Sequence, residues 1–462
     1  MLDQLASRLQ RLEVEGLPLV VGYSGGADST CLIHLLKRLG HPFVAAHLNH
    51  SQREEGNAEQ KLCEQFCSQF DIPFVTGVAD VPRMSLDLKM GVEEAGRMAR
   101  YNFLEQARRA TESAYIVTAH TKTDLVETVL FNVARGSGIS GLAGVPERRD
   151  RIVRPLLFAT RQETRAYCAE HSLWFHDDPC NDSPEFARAR IRNEVVPMLE
   201  EIKPGASEAI WRLSQIAIEE DSFLNGAAAA ALERCEVRLN GKHNFLSQDV
   251  ELAFGTQDLA HLPPVLFKRA VRLAVEALGA TLSFDQTQIV ADHVGRHPGS
   301  VTAEGGKVVC EWNEEVLTVR VLQPTEPFRF KLTFPGETES DEFGWRLTAR
   351  KLAESPTSKE RRGMKVVVPE DAVRGDLYLR SVQSGDSIQP LGFEGTRKLS
   401  DVLADAQLTT AARARLPIIC DFVGPIWAPG VCLSHRMYRE NFGGPAIEIT
   451  FEPITEGFPT ET

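Results

Sequence analysis

Between an apolar run, Leu17–Val21, and an amphipathic stretch carrying Leu32, Leu35, Leu36 and Leu39 stands the segment Ser24-Gly25-Gly26-Ala27-Asp28-Ser29. A buried strand, a glycine turn and a helix start, in that order, aim backbone N–H groups and a helix dipole at an anion. Gly25 and Gly26 let the backbone approach it where a Cβ would collide. Ser24 and Ser29 can donate hydroxyl hydrogen bonds, and Asp28 can hold a divalent cation bridging phosphate oxygens. No Lys follows the turn, so this is not the GxxxxGK(S/T) loop of common nucleotide hydrolases. The chemistry that fits is grip on a polyphosphate.

Further groups of reactive residues follow along the chain. His47, His50 and Arg53 come directly after a second apolar run; they suit phosphate, or belong to a plain surface loop. Metal fits them less well, because no Cys or carboxylate completes a ligand set. Glu93, Arg97 and Tyr101 are four residues apart on one helix face, with Arg100 beside them, which reads as a surface ion pair or as an Arg presented to phosphate. His120, Asp124 and Glu127 stand at a predicted helix start. Two adjacent carboxylates there suit gripping a cationic amine, taking its proton or sharing a cation, and also suit the helix dipole alone. Gly136, Gly138 and Gly141 form a loop expected to close over a ligand. Arg154-Pro155-Leu156-Leu157 and the Arg188–Arg192 segment complete the set, with Arg192 the candidate for neutralising phosphate charge.

The elements that must position these groups are legible as strand–helix alternation. Predicted strands cover 17–23, 43–48, 74–78 and 115–119, and predicted helices cover 29–39, 57–70, 93–110 and 123–134. Such spacing implies parallel pairing with right-handed crossovers, a doubly wound α/β sheet. Ser24, His47 and His120 fall at or near strand ends, where ligands of such sheets bind. Beyond about residue 206 the pattern turns helical, with strands again near 307–321 and in a last compact stretch. The expected domains are 1–205, catalytic; 206–325, mainly helical; 326–365, a linker; and 366–462, small and α+β.

Composition bounds the classes. With 462 residues, 43% apolar and 25% charged, the chain suits two to four globular domains. No apolar run approaches a membrane span and no basic-then-apolar leader opens the chain, so a cytoplasmic place is expected. Nine Cys at irregular spacings, with no C-x-x-C pair, read as reduced structural thiols. The net charge of −13 argues against non-specific coating of nucleic acid. Basic clusters at 148–165, 188–192 and 350–365, taken together on an acidic chain, mildly favour an RNA partner.

In order and spacing these motifs resemble those of the bacterial tRNA(Ile)-lysidine synthetases, a family of PP-loop ATP pyrophosphatases. The shared patterns are SGGxDS, H-x-x-H-x-x-R, E-x-x-x-R-x-x-RY, H-x-x-D-D-x-x-E-T, RPLL and R-N-x-I-R, over roughly residues 15–200. Arg380, Asp386, Lys398 and Arg415 extend the likeness toward the C-terminus. The resemblance implies a Rossmann-like PP-loop domain that binds ATP at Ser24–Ser29 with Mg2+ held partly by Asp28. It implies adenylation of carbon 2 of the wobble cytidine in the CAU anticodon of tRNA(Ile), then attack by the ε-amine of free L-lysine. Asp28, Asp124, Glu127 and Arg192 would be catalytic; His47, His50, Arg53, Glu93, Arg97, Arg100, His120 and Arg188 would contact substrate or phosphate. Thr123 and Ala189 depart from the family pattern, where Asp and Asn stand. The alternatives are a tRNA thiolation enzyme with the same loop, which the missing C-x-x-C disfavours, and a non-catalytic tRNA- or nucleotide-binding protein. Oligomeric state, monomer or homodimer, is left open.

Overall fold

The computed structural model describes residues 1–51, 56–176, 187–322, 325–354, 363–439 and 443–454. Two compact units divide the chain, Met1–Phe223 and Leu224–Thr462.

The first unit runs α1 (Leu2–Arg11), β1 (Leu19–Gly22), α2 (Ala27–Arg38), β2 (Phe43–Asn49), α3 (Gly56–Gln69), β3 (Phe74–Val78), α4 (Val81–Leu88) and α5 (Val92–Ala110). It continues with β4 (Tyr115–Val117), α6 (Lys122–Ala134), α7 (Ile139–Leu142), β5 (Arg148–Arg149), β6 (Ile152–Val153) and α8 (Arg161–Glu170). The strands form one sheet in the order β3-β2-β1-β4-β6-β5, parallel except for the last pair. Leu19 stands in register with Phe43 on one side and Tyr115 on the other. β1 is central and covered on both faces, which is why its Leu19, Val20 and Val21 form an unbroken apolar run. Leu19 and Val21 belong to the core shared with Leu32, Leu35 and Leu36 of α2, whereas Val20 packs with Leu104 of α5 and Ile116. The chain leaves β1 toward β2 and β3, then crosses to β4 on the other side. The crevice beyond the ends of β1 and β4 is therefore the topological switch point.

Helix 196–202 and the long helix Ala206–Cys235 follow, and between α8 and them Ile191–Val195 forms a π turn. In the second unit a four-stranded antiparallel sheet (Glu251–Gly255, Val316–Val321, Val308–Trp312, Gly299–Thr302) shares a core with the helix Pro264–Ala277. A five-stranded and a four-stranded antiparallel sheet then enclose a core that includes Trp345, Trp427 and Phe451.

The stretch expected as a linker, 326–365, carries three strands instead: Arg329–Lys331, Gly336–Ser340 and Trp345–Leu352. Trp345, Leu347 and Ala349 are buried with polar residues between them, a period-two pattern masked by Pro- and Glu-rich flanks. The glycine loop expected to close over a ligand contains the short helix α7. Asn132 donates to the Gly141 carbonyl at 2.9 Å and Ser140 to Asp221 at 2.6 Å, so this segment is tied down.

Leu35 is fully buried against the central strand, whereas Leu86 is exposed. Leu35→Ala should therefore cost about 2–5 kcal/mol in denaturant unfolding of the first unit, and Leu86→Ala less than about 0.5 kcal/mol.

Candidate active site

The turn after β1 is built by its own side chains. The Ser24 backbone N–H donates to the Ser29 hydroxyl at 3.3 Å, and that hydroxyl donates to the Gly26 carbonyl at 3.0 Å. Gly25 has φ +80°, and a Cβ there would lie 2.9 Å from Cys63 Sγ, so both backbone and space demand glycine. Gly26 is the N-cap of α2 and offers no side-chain cap. By contrast α6 and α8 each begin with a full capping box, Thr121/Asp124 and Thr160/Glu163. The first turn of α2 thus keeps its N–H groups for an anion.

This turn opens on a cavity of ≈ 740 Å³. Ser24, Gly26, Ala27, Asp28, Ser29, His47, His50, Arg100, His120, Asp124, Arg161, Arg165 and Arg192 line it. Four arginines face three carboxylates, those of Asp28, Glu59 and Asp124, a balance that suits a polyanion.

Asp28 and Asp124 come from different helices and are joined by Arg161. Its Nη2 lies 3.1 Å from Asp124 Oδ1 and its Nε 3.5 Å from Asp28 Oδ2. Thr164, one turn along α8, donates to the other Asp28 oxygen. Burial pushes the Asp28 carboxyl above the usual carboxylate range, with the nearby charge of Asp124 adding to it and Thr164 and Arg161 opposing. Burial also works to raise Asp124. There the charge of Arg161, that of His120 once it is protonated, and hydrogen bonds from Thr121 outweigh it and hold the carboxyl low. Thr121 N and Oγ1 both donate to Asp124 Oδ2 at 2.7 Å.

Sequence spacing placed Asp124 and Glu127 on one face; the structure separates their tasks. Glu127 is 2% exposed and outside the cavity lining, where it accepts from Arg192 Nε at 2.5 Å and Nη2 at 2.8 Å. It holds Arg192, and Arg192 faces the cavity. The π turn at Ile191–Val195 sets where Arg192 points.

His47 is buried, with Nδ1 2.9 Å from the Tyr23 carbonyl oxygen. His120 Nδ1 lies 2.9 Å from Thr118 Oγ1. Burial lowers His50 to about 4, helped by Arg100, and lowers His120 to about 4 despite the opposing charge of Asp124. Both imidazoles are therefore neutral near pH 7 and serve as hydrogen-bonding groups. Glu93, Arg97 and Arg188 are exposed and stand outside the cavity lining; Arg97 lies 5.1 Å from the Tyr101 ring centroid. Arg154 is buried and donates to the Pro146 carbonyl at 2.8 Å, so RPLL is a packing element. Arg53 lies outside the described residues.

Among the described residues no three His, Cys, Asp or Glu side chains gather as a metal cage. Two carboxylates reached by one guanidinium instead offer hard oxygen donors. That fits Mg2+, which is commonly held by one or two carboxylates with water and phosphate oxygens. The eight described cysteines are buried, and burial pushes Cys63 and Cys67 up to about 12, which makes these thiols poor sulfur carriers.

A family model described as a PP-loop domain matches residues 1–199, and one described as the TilS substrate C-terminal domain matches 377–444. The tRNA(Ile)-lysidine synthase of Geobacillus kaustophilus is 28% identical over 457 residues, spanning 93% of this chain and 95% of that protein. Nearly the whole chain is thus similar to tRNA(Ile)-lysidine synthases. The synthase of Porphyromonas gingivalis is 29% identical over 452 residues, 93% of each chain. That of Bacillus subtilis is 28% identical over 438 residues, 91% of each.

Arg161, which lines the cavity, and Thr164, buried behind Asp28, are not among the residues that the sequence motifs single out. The signal was present as a capping box at Thr160/Glu163 within an arginine-rich stretch, which announces a helix start beside the RPLL segment. Thr123, where the family pattern has Asp, accepts the Arg161 backbone N–H at 3.1 Å and so helps seat α8.

A buried neutral His destabilises the folded state under acid conditions. An unfolded His has a pKa of about 6.5, so between about 4 and 6.5 the unfolded chain binds more protons, and stability falls as pH falls through that window. His120→Asn should flatten this decline in denaturant titrations at stepped pH. The share from Asp124, whose carboxyl is held low, is lost only at still lower pH.

Proposed function

We propose that this chain ligates L-lysine to carbon 2 of the wobble cytidine in the CAU anticodon of tRNA(Ile), through an adenylated cytidine. The reading changes decoding from AUG to AUA. The observation that carries it is the convergence of the Ser24–Ser29 turn, Asp28, Asp124 and Arg192 on one cavity at the switch point of the sheet.

The turn and the first turn of α2 are suited to the β and γ phosphates of ATP. Mg2+ bound at Asp28 would draw charge from the phosphate oxygens and hold the pyrophosphate as it departs. The carbon-2 oxygen of cytidine attacks the α phosphorus, the α–β bridge breaks and pyrophosphate leaves. That oxygen is a poor leaving group until it carries AMP. The lysine ε-amine then forms the new carbon–nitrogen bond as AMP departs, and the amine must first lose a proton, since its pKa is about 10.4.

Asp124, held ionised by Arg161 and Thr121, suits anchoring the incoming ammonium better than taking its proton. Arg192, oriented by the Glu127 carboxylate, suits the charge that develops on phosphate. His47, His50, Arg100 and His120 are proposed to contact base or phosphate. A cytidine in an anticodon loop reaches such a pocket at a cost of only a few kcal/mol of unstacking. Residues 377–444 supply a surface for the body of the tRNA.

Incubation of the full chain with transcribed tRNA(Ile), ATP and isotopically labelled lysine should add one lysine residue to the tRNA by mass spectrometry. Sulfur-dependent turnover in its place would favour a thiolation enzyme. Asp28→Asn should abolish pyrophosphate release, and retained release would remove the turn from the reaction. Glu127→Gln should lower kcat by roughly 10²–10³-fold with ATP affinity little changed, because it loosens Arg192 rather than the turn.

A further inference from the structure

Two ionised carboxylates facing one cavity repel each other unless a cation stands between them. Here the cation is Arg161, which touches Asp124 at 3.1 Å and Asp28 at 3.5 Å. Its backbone is fixed by the N–H bond to Thr123 and by the capping box that starts α8. Its side chain is bonded to the two carboxylates, is 29% exposed and lies at the cavity wall. Only the side chain has to move for the guanidinium to leave.

We propose that Arg161 is a resident stand-in cation. It occupies, between Asp28 and Asp124, the position that a divalent ion takes when it arrives with ATP, and once displaced it turns to the nucleotide's phosphates. This rests on the reading of Ser24–Ser29 as the ATP site. A bare divalent ion gains the two carboxylates but must evict a guanidinium into a cavity that already holds Arg100, Arg165 and Arg192. Against these three guanidinium groups the described cavity lining offers the evicted charge only the Glu59 carboxylate, so the ion alone binds weakly. With ATP present the triphosphate receives the released guanidinium, and the ion pays no such penalty. Ion and nucleotide therefore bind with positive coupling, and the coupling is the same whichever binds first. Arg161 is a positioning residue in this scheme before ATP binds and a phosphate ligand afterwards.

Mn2+ binding to the full chain, followed by the loss of the free-ion electron paramagnetic resonance signal, tests this without tRNA or lysine. Wild-type protein should bind Mn2+ weakly alone and at least tenfold more tightly with the α,β-methylene analogue of ATP. Arg161→Gln should bind Mn2+ alone at least tenfold more tightly than wild type and lose most of the gain from the analogue. Arg161→Lys keeps a cation and should stay close to wild type, which separates displacement from damage to the fold. Adding Asp124→Asn to Arg161→Gln should return Mn2+ to weak binding. Unchanged or weaker Mn2+ binding by Arg161→Gln overturns the proposal, as does tight binding that survives loss of Asp124. If the analogue binds normally in those cases, the ATP site stands and only the stand-in role of Arg161 is lost. Failure of the analogue to bind the wild-type chain removes both.

Discussion

The cavity is organised by the mutual repulsion of Asp28 and Asp124 and by what relieves it. Each carboxylate has its own local reason to be where it is. Asp28 sits in the first turn of a helix whose N-cap gives no side-chain bond, and Asp124 closes a capping box at the start of α6. Neither arrangement requires the other. They become one site because the sheet order brings the ends of β1 and β4 side by side and α8 starts between them with a guanidinium. The two carboxyls are displaced in opposite directions: burial lifts Asp28, whereas at Asp124 burial is outweighed by Arg161, His120 and the Thr121 hydrogen bonds.

A second pair repeats the device at greater depth. Glu127 is buried and would be costly there alone, and Arg192 supplies two hydrogen bonds to it. The bidentate fork fixes the plane of the guanidinium, so the charge offered to the cavity has one orientation. Both acids of α6 are thus paired with arginines from later in the chain, Asp124 at the cavity wall and Glu127 outside the lining. That is the reverse of a pair of free carboxylates waiting for a ligand.

Much of the fold could be read along the chain because the central strands and their helices keep clean periods. β3 matches its predicted limits, and the first four strand–helix alternations fall within a few residues. The elements that escaped are short or weakly amphipathic. α8 has only Thr164, Tyr167 and Cys168 buried, too few to mark a stripe. The strands at 329–352 hide among Pro and Glu. In the site, Ser24, Asp28, His47, His120 and Asp124 were visible because each follows or ends a recognisable strand. Arg161 was not, since its partner Asp124 lies 37 residues away and only the sheet order joins them. Glu127 was visible as an acid but not as the holder of Arg192, because helical spacing says which residues share a face and not how deep each one lies.

The π turn at Ile191–Val195 makes the delivery of Arg192 a matter of chain length as much as of residue type. An α-helix advances about 100° per residue, so removing one residue from that wide turn would swing the preceding segment by that angle relative to helix 196–202. The guanidinium would then leave the Glu127 fork although every side chain involved was still present. The number of residues between Arg192 and the following helix is therefore a constraint in its own right, separate from which residues stand there.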